Sequence, residues 1–387
     1  MAGACLGCAA RDPAMLVDFG PQPPSNRFER PADPPAERHP LRVAQCRACG
    51  LVQLADPMPP AMAKSRFEWL TYNEPEGHLD DLVSRLRGLV TGSSRIAGVS
   101  YKDDTTLARF NRLGYANTYR YQPGADLGIH DACAGLETLQ DAFTKGSLSG
   151  QADLLLARHI LEHAHDPARF IGALKKLTKP GGHMVFEVPE ASKFIRACDY
   201  SFLWEEHITY FTRATLVTAL MYGGVSLHEV HTYPYAFEDS LIAVVRNAAP
   251  ASVPRDSDLL QEGAAFGRRH SEISAAWRER LAAWRRQGKR VAIFGAGHLA
   301  AKFVNLLGLA DLVDCVIDDN AHKQALLMPG SRLPIRGSAS LVPGRVDVCL
   351  LSLSPESEQK VRAKYASYLG QGGEFHSIFR MASHEPA

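Results

Sequence analysis

Four cysteines near the amino terminus have the spacing of a metal site. Cys5 and Cys8 form one C-x-x-C pair, and Cys46 and Cys49 form a second. Two thiolates separated by two residues can point at one ion, and four of them complete a tetrahedral shell that suits Zn²⁺. A shell without an open position predicts a structural zinc, which would fold a small module with little apolar core. Disulfides are the alternative.

A carboxylate next to an imidazole, Glu206 followed by His207, is the first candidate for acid–base chemistry. The pair lies in a segment, residues 202–212, that concentrates aromatic and ionisable side chains. A carboxylate can orient an imidazole and raise its basicity, and a base active near pH 7 can deprotonate a carbon acid. The segment could equally be a capped loop, because Thr212 is a suitable N-cap for a following helix.

Two further histidines, His159 and His163, follow a predicted buried strand at residues 152–157. They therefore lie at a carboxyl strand end, where α/β proteins bind ligands. Their spacing of four could present both on one helix face to a metal, although no third ligand is evident. A substrate-facing His163 and a polar loop that starts a helix are the other interpretations.

A glycine-rich motif occurs in the last third of the chain. Residues 295–300 have the form G-x-G-x-x-A after a predicted strand, and Asp318 follows at the end of the next strand. This pattern is typical of dinucleotide binding, in which the acid holds the ribose. The same glycines would also permit tight packing of strand against helix without a ligand.

The elements that must position these residues predict an α/β protein in three parts. A chain of 387 residues is expected to form two or three domains. We expect a zinc-binding module over residues 1–70 and a doubly wound, Rossmann-like domain over residues 71–250, because strand and helix patterns alternate there. A smaller Rossmann-like domain with a long leading helix is expected over residues 257–387.

The composition narrows the class of protein. Apolar residues make up 45% and charged residues 22%, and the net charge is +1, so no surface for nucleic acid is indicated. No apolar run has the length of a membrane helix, and the amino terminus lacks a signal-peptide core. The scattered remaining cysteines and the zinc site favour a reducing, cytoplasmic location.

Several segments in order resemble the zinc-containing sugar C-methyltransferase family of deoxysugar and natural-product biosynthesis. The resemblance covers nearly the whole chain and implies three domains: an amino-terminal zinc domain, a central S-adenosylmethionine domain and a carboxyl-terminal Rossmann-like domain. Besides the cysteine pairs, it rests on residues 22–28, 49–54, 139–143, 161–163, 179–182 and 205–207.

The resemblance implies an activity and roles for several residues. In that family a nucleotide-linked 4-keto-deoxysugar is deprotonated next to its ketone, and the carbanion takes a methyl group from S-adenosylmethionine. The family's base falls on His207, with Glu206 as its neighbour, and a second active-site histidine falls on His163. A tyrosine after the zinc module falls on Tyr72. Trp204 replaces a family tyrosine, and indole cannot serve as an acid.

The cofactor side departs from the family pattern. Gly98 replaces the acid that ends the first strand, and Ser100 and Asp104 replace glycines that let the backbone approach the cofactor. Gln122 replaces the ribose-binding acid, and His159 stands where the family has asparagine. The residues assigned to a cofactor site are Gly98, Ser100, Asp103, Gln122 and His159.

The sequence permits two enzymatic functions and one non-catalytic function. The leading one is a C-methyltransferase with an atypical S-adenosylmethionine pocket, acting on a small molecule of the nucleotide-sugar class. The alternative is an epimerase, isomerase or lyase that needs no methyl donor, because an enolate made by His207 can be reprotonated or can expel a leaving group. A non-catalytic binding protein is the third. The substrate, the stereochemistry and the oligomeric state are left open.

Overall fold

The computed structural model describes residues 3–11, 13–70, 74–254 and 259–379. The strands in these residues are β1 (Ala14–Gln22), β2 (His39–Gln45), β3 (Val52–Leu54), β4 (Ile96–Gly98), β5 (Thr118–Arg120), β6 (Ala152–Arg158), β7 (Thr178–Pro189), β8 (Thr209–Tyr210), β9 (Ser226–Tyr233), β10 (Ser240–Arg246), β11 (Val291–Phe294), β12 (Cys315–Ile317), β13 (Ile335–Arg336), β14 (Val348–Leu351) and β15 (Glu374–Ser377).

The α-helices alternate with these strands over most of the chain, as α/β architecture requires. They are α1 (Pro60–Ala63), α2 (Leu79–Leu86), α3 (Asp104–Arg112), α4 (Pro123–Leu127), α5 (Leu136–Lys145), α6 (Pro167–Leu177), α7 (Ser192–Ala197), α8 (Arg213–Tyr222), α9 (Leu260–Arg268), α10 (His270–Arg286), α11 (His298–Leu306), α12 (Pro355–Lys364) and α13 (Ala366–Gly370). None of the helices in the described residues is long and apolar enough to cross a membrane.

The chain folds as two compact units. The first consists of Met1–Leu16, Arg42–Lys193 and Glu206–Gly263, and the second of Val17–Leu41, Phe194–Glu205 and Ala264–Ala387. Both units draw on separated stretches of sequence, so neither is a single continuous segment. The predicted domain boundaries after residues 70 and 250 stay predictions.

A six-stranded sheet of order β5-β4-β6-β7-β10-β9 is the centre of the first unit. Strand β4 pairs in parallel with β5 and β6, and β6 with β7, whereas β10 runs antiparallel to both of its neighbours. The chain leaves β4 for β5 on one side, and β6 lies on the other side of β4. The switch point, where such folds bind ligands, therefore lies between the carboxyl ends of β4 and β6.

Both faces of this sheet are buried, as the continuous apolar run at residues 152–157 predicts. Leu155 and Ala157 pack into the core cluster with α5, α6 and α8, whereas Leu154 and Leu156 pack into the opposite cluster with α2 and α3. The alternation follows from the two-residue period of a strand. The helix predicted to follow Thr212 is confirmed as α8, and Thr212 is its N-cap.

A parallel five-stranded sheet, in the order β13-β12-β11-β14-β15, forms the centre of the second unit. The expected fold class, an α/β protein with a cysteine-rich module and two Rossmann-like sheets, is confirmed. The long helix expected before β11 is instead two consecutive helices, α9 and α10, which meet at Arg269. The predicted start of that helix, Ser257, lies outside the described residues.

Candidate active site

The four cysteine sulfurs form a cluster with the dimensions of a zinc site. The Sγ atoms of Cys5 and Cys49 lie 3.7 Å apart, as do those of Cys8 and Cys46, and all four lie within 4.8 Å of one another. A zinc–sulfur bond of about 2.3 Å places two tetrahedral sulfurs about 3.8 Å apart. The donor set therefore fits structural zinc and does not fit disulfides, whose sulfurs bond at about 2.05 Å.

Two similar turns present these sulfurs. The N–H of Ala9 donates to the carbonyl of Cys5, and the N–H of Gly50 donates to the carbonyl of Cys46, at 2.8 and 2.9 Å. Ala9 and Gly50 both have left-handed backbones, with φ of 55° and 82°. Each C-x-x-C pair is thus held by its own backbone, and both turns bring two thiols to one point.

Strand β3 connects the cysteine turns to the segment that carries His207. The Oε1 of Gln53 accepts a hydrogen bond from the N–H of Leu6 at 2.8 Å, so β3 is fastened to the first turn. On its other side β3 pairs with β8, and the N–H of Leu54 donates to the carbonyl of Ile208 at 2.9 Å. The zinc turns therefore help to fix the backbone next to His207.

His207 and His163, the two histidines that the family resemblance assigns to the active site, lie against each other. Their ring centroids are 4.8 Å apart and the rings are nearly perpendicular, at 87°. One donor atom of each ring and one carboxylate oxygen of Glu162 lie within 4.8 Å of one another. The His207 side chain is 9% exposed and its neighbours are polar, so it is not enclosed in an apolar core.

The charge state of His163 follows from its surroundings. Burial, together with the positive charges of Lys102 and His159, lowers the pKa of His163 to about 3, and a hydrogen bond to the backbone of Glu206 opposes this shift only in part. His163 is therefore neutral near pH 7. A neutral imidazole can donate a hydrogen bond to a substrate oxygen without adding a positive charge beside His207.

Three other residues were singled out from the sequence: Glu206, Tyr72 and Trp204. Glu206 is buried, and the pKa of Tyr101 is raised mainly by burial, with smaller contributions from the charges of Glu74, Glu137 and Glu206. Its expected role in orienting His207 stays a prediction. Tyr72 lies outside the described residues. Trp204 belongs to the second unit, where its indole stacks on the ring of His298 with centroids 4.6 Å apart.

In the loop after β4, which is predicted to hold the cofactor, the Asp103 side chain binds backbone N–H groups. The buried carboxylate accepts hydrogen bonds from the N–H groups of Val99 (2.8 Å), Ser100 (3.0 Å) and Arg158 (3.1 Å). A Cβ atom on Gly98 would lie 2.6 Å from the Cβ of Asp103, so glycine is required here for close packing. Burial raises the pKa of Asp103 to about 6, against these hydrogen bonds.

The other predicted cofactor residues also interact within the loops. The Ser100 hydroxyl accepts from the N–H of Lys102 at 3.2 Å as the N-cap of the following turn. Asp104 forms an ion pair with Arg120 at 2.9 Å, which connects the loops after β4 and β5. The exposed Gln122 donates its side-chain amide to the carbonyl of Arg120 at 3.0 Å.

A buried ionic network crosses the switch point. Arg158, at the end of β6, is paired in register with Glu187 on β7, and its guanidinium binds both the Glu187 carboxylate and the Lys102 carbonyl in the loop after β4. Glu187 also contacts His159 at 3.1 Å and His78 at 3.0 Å. Sequence analysis missed Arg158, Glu187 and His78. For Arg158 and Glu187 the signal was a charged residue within a buried strand, whereas His78, which precedes α2, carried no such signal.

His159 belongs to this network rather than to a metal pair with His163. Burial alone would lower its pKa, but Glu187 and Glu162 raise the pKa to about 10. Its backbone is left-handed, with φ of 49°, a conformation that asparagine adopts more readily than most residues. This explains in physical terms why asparagine suits the position in the family pattern.

The residues at the end of β4 do not fit the usual arrangement for S-adenosylmethionine. Backbone N–H groups of a glycine-rich loop normally face the cofactor. Here the Asp103 carboxylate occupies two of them, and the Arg158 side chain spans the crevice between β4 and β6. The Asp104–Arg120 ion pair connects the start of α3 to the end of β5. The predicted cofactor residues Gly98, Ser100, Asp103 and Gln122 therefore make their contacts with neighbouring residues of the protein.

In the second unit, the acid predicted to bind ribose, Asp318, instead binds the backbone of the glycine motif. The Asp318 carboxylate accepts from the N–H of Ala296 at 2.8 Å and lies 3.3 Å from the Lys323 ammonium. A Cβ atom on Gly295 would lie 2.8 Å from Leu353 and 3.0 Å from Ser352. These contacts favour close packing of the segments that follow β11 and β14, rather than ribose binding, as the reason for Gly295.

Sequence comparisons indicate which proteins this combination of a cysteine module and two α/β sheets resembles. Family models match in order: a zinc binding domain at residues 5–62, a methyltransferase domain at residues 96–226 and a C-methyltransferase C-terminal domain at residues 252–379. Together these matches support an enzyme similar to C-methyltransferases.

Individual relatives are distant. The C-methyltransferase NovU of Streptomyces niveus is 23% identical over 401 residues, which cover 96% of this chain and 94% of that protein. Among solved structures, 1,6-didemethyltoxoflavin-N1-methyltransferase of Burkholderia thailandensis, with its substrate and S-adenosylhomocysteine bound, is 14% identical over 45% of this chain and 79% of its own, with a TM-score of 0.33. A complex of the Haloferax volcanii Trm112 methyltransferase activator with a methyltransferase is 12% identical over 44% of this chain and 89% of its own, with a TM-score of 0.34. These structural similarities are too low to support an inference.

Proposed function

We propose that this enzyme removes a proton from a carbon next to a carbonyl group, with His207 as the base, and that the carbanion then receives a methyl group. The proposed substrate class is a nucleotide-linked keto-deoxysugar. The observation that carries the proposal is the pairing of His207 with His163 in a polar, buried site, with ring centroids 4.8 Å apart. The match of residues 252–379 to the C-methyltransferase C-terminal domain supports the reaction class, C-methyl transfer.

The chemistry of a carbon acid explains why two imidazoles are useful. A proton next to a carbonyl is lost when a base accepts it while a donor stabilises the negative charge that develops on the carbonyl oxygen. His207 is the more accessible ring and is assigned the proton. His163, whose pKa burial lowers, stays neutral and can donate an N–H to the oxygen.

The backbone around His207 supports this assignment. The N–H of Ile208 donates to the carbonyl of Glu162 at 2.7 Å, and β8 pairs with β3 directly after it. A base must be held within hydrogen-bond reach of the proton it removes, so a segment fixed on both sides is well suited to the task. Tyr72 and Glu206 keep the supporting roles that the family resemblance implies.

S-adenosylmethionine, when bound, supplies the methyl group in this class of enzyme. Because the loop after β4 does not fit its usual arrangement, the steps assigned to residues of this chain end at the carbanion. This same feature favours a second candidate, a methyl-donor-independent epimerase, isomerase or lyase. The specific observation is that Arg158 forms hydrogen bonds with the Asp103 carboxylate and the Lys102 carbonyl, which connect the end of β6 to the loop after β4.

Product analysis separates the two candidates. The protein is incubated with a nucleotide-linked 4-keto-deoxysugar in heavy water, with and without S-adenosylmethionine, and the sugar is analysed by mass spectrometry. C-methyl transfer predicts a methylated product only when the donor is present. Deuterium uptake with no methylated product, and no calorimetric binding of millimolar S-adenosylmethionine, would replace the first candidate with the second. Neither methylation nor exchange with any keto-sugar nucleotide would remove both.

A further inference from the structure

Glu162, His163 and His207 form a second cluster of metal-ligating side chains, separate from the cysteines. One carboxylate oxygen and one nitrogen from each ring lie within 4.8 Å of one another. All three side chains are at least nine-tenths buried. Two imidazoles and one carboxylate are a donor set that holds divalent transition metals in proteins and leaves further positions open.

The carboxylate of Glu162 is the independent observation that points to a ligand. Glu162 is 2% exposed, and among the described residues neither of its carboxylate oxygens accepts a hydrogen bond. Its ion-pair partner is His159, whose Nδ1 lies 3.8 Å from Oε1. This ion pair leaves both oxygens without a hydrogen bond, which is costly and rare for a buried carboxylate. A cation among the three side chains would bond directly to one of these oxygens.

The distances permit a cation after a small contraction. If all three atoms were at the maximum separation of 4.8 Å, their centre would lie about 2.8 Å from each, compared with bonds of about 2.1 Å to nitrogen or oxygen. Each donor would thus move inward by about 0.7 Å or less. The backbone is already fixed, because the N–H of Ile208 donates to the carbonyl of Glu162 at 2.7 Å.

We propose that Glu162, His163 and His207 bind one divalent transition-metal cation. Imidazole ligands favour zinc, iron, cobalt or nickel over magnesium and calcium, which prefer all-oxygen sites. The site would differ from the Cys₄ site in its ligands and in its open positions, where a water or a substrate oxygen can bind.

This cation site goes beyond the proposed function. In it His207 would be a metal ligand instead of a base. A ring nitrogen that is bonded to a cation has no lone pair left to accept a proton. Cation binding and proton removal at that nitrogen therefore exclude each other. We expect added cation to suppress any deuterium exchange that His207 catalyses, and a chelator to restore it.

Cobalt titration of the zinc-loaded, full-length protein tests the site without any substrate. The Cys₄ shell is closed, so the added Co²⁺ reports on other sites through its visible absorption, and thiolate bands would reveal any replacement of zinc. We expect one equivalent to bind, and Glu162→Gln and His163→Asn to weaken binding by about tenfold or more. Glu137→Gln, at a buried glutamate on α5, is the matched control and is expected to bind like the wild type.

The wild type alone provides a second measurement, in case a variant does not fold. Two histidine ligands predict two exchangeable imidazole N–H signals with large paramagnetic shifts in the proton spectrum of the cobalt form. No binding at millimolar Co²⁺, equal binding by Glu162→Gln and wild type, or a cobalt spectrum without such signals would overturn the proposal. Because binding is measured without substrate, its failure would leave the role of His207 as a base unaffected.

Discussion

Glu187→Gln is expected to destabilise the first unit strongly, because it removes the carboxylate that contacts Arg158, His159 and His78 together. The side chain keeps its size, so the change removes charge rather than volume. Glu187 is fully buried, and its partners lie at 2.5 to 3.1 Å. Removing one partner of a buried ion pair costs about 3–5 kcal/mol, since the other charge stays buried and unpaired.

Urea unfolding at pH 7 measures this loss directly. The matched control is Asp141→Asn, which breaks an exposed pair with Lys145 one turn away on α5 and is expected to cost about 0.5 kcal/mol or less. A double-mutant cycle with Arg158→Met should show a large coupling between Arg158 and Glu187. If Glu187→Gln costs no more than the control, the network does not hold the strand ends together and the reasoning fails.

Three further changes test separate features. Cys5→Ser should release zinc and lower the unfolding temperature, whereas Cys133→Ser should retain the metal; full zinc content in both, by elemental analysis, would contradict the Cys₄ assignment. The folded-state pKa of Asp103, about 6, lies above its ordinary 3.8, so its contribution to stability is largest below pH 4 and falls as pH rises to 6. Asparagine does not titrate, so Asp103→Asn should lack that slope, and the stability of the wild type relative to the variant should fall between pH 4 and pH 6; a difference that does not change with pH would refute it. Gly98→Ala should cost about 1–3 kcal/mol in urea unfolding because its Cβ meets Asp103, while Gly172→Ala, in open space on α6, should be neutral or stabilising; equal effects would count against the close approach.

The sequence was sufficient to predict features that depend on local spacing. The pairs Cys5/Cys8 and Cys46/Cys49 predicted the cysteine cluster, because a C-x-x-C turn brings two sulfurs together by local geometry alone. The run at residues 152–157 predicted a strand buried on both faces, which β6 confirms. The roles of His163 and His207 came from the family resemblance, and their contact was not predicted, since 44 residues separate them and no local pattern connects them.

The sequence could not predict features that depend on strand register. Arg158 meets Glu187 because β6 and β7 pair in parallel with these residues opposite each other. That register is set by the packing of the whole sheet, so the ionic network was missed. The carboxylate of Glu162 was likewise seen only as part of a motif, because its burial beside His207 depends on the pairing of β8 with β3.

The most direct test of the central claim is deuterium exchange into a nucleotide-linked keto-deoxysugar by three forms of the protein freed of loosely bound cations. His207→Asn removes the base, and His183→Asn, at a half-buried histidine in β7, is the matched control. We predict exchange at the carbon next to the carbonyl with wild type and His183→Asn, and its loss with His207→Asn in a correctly folded protein. Undiminished exchange with His207→Asn would contradict the assignment of the base.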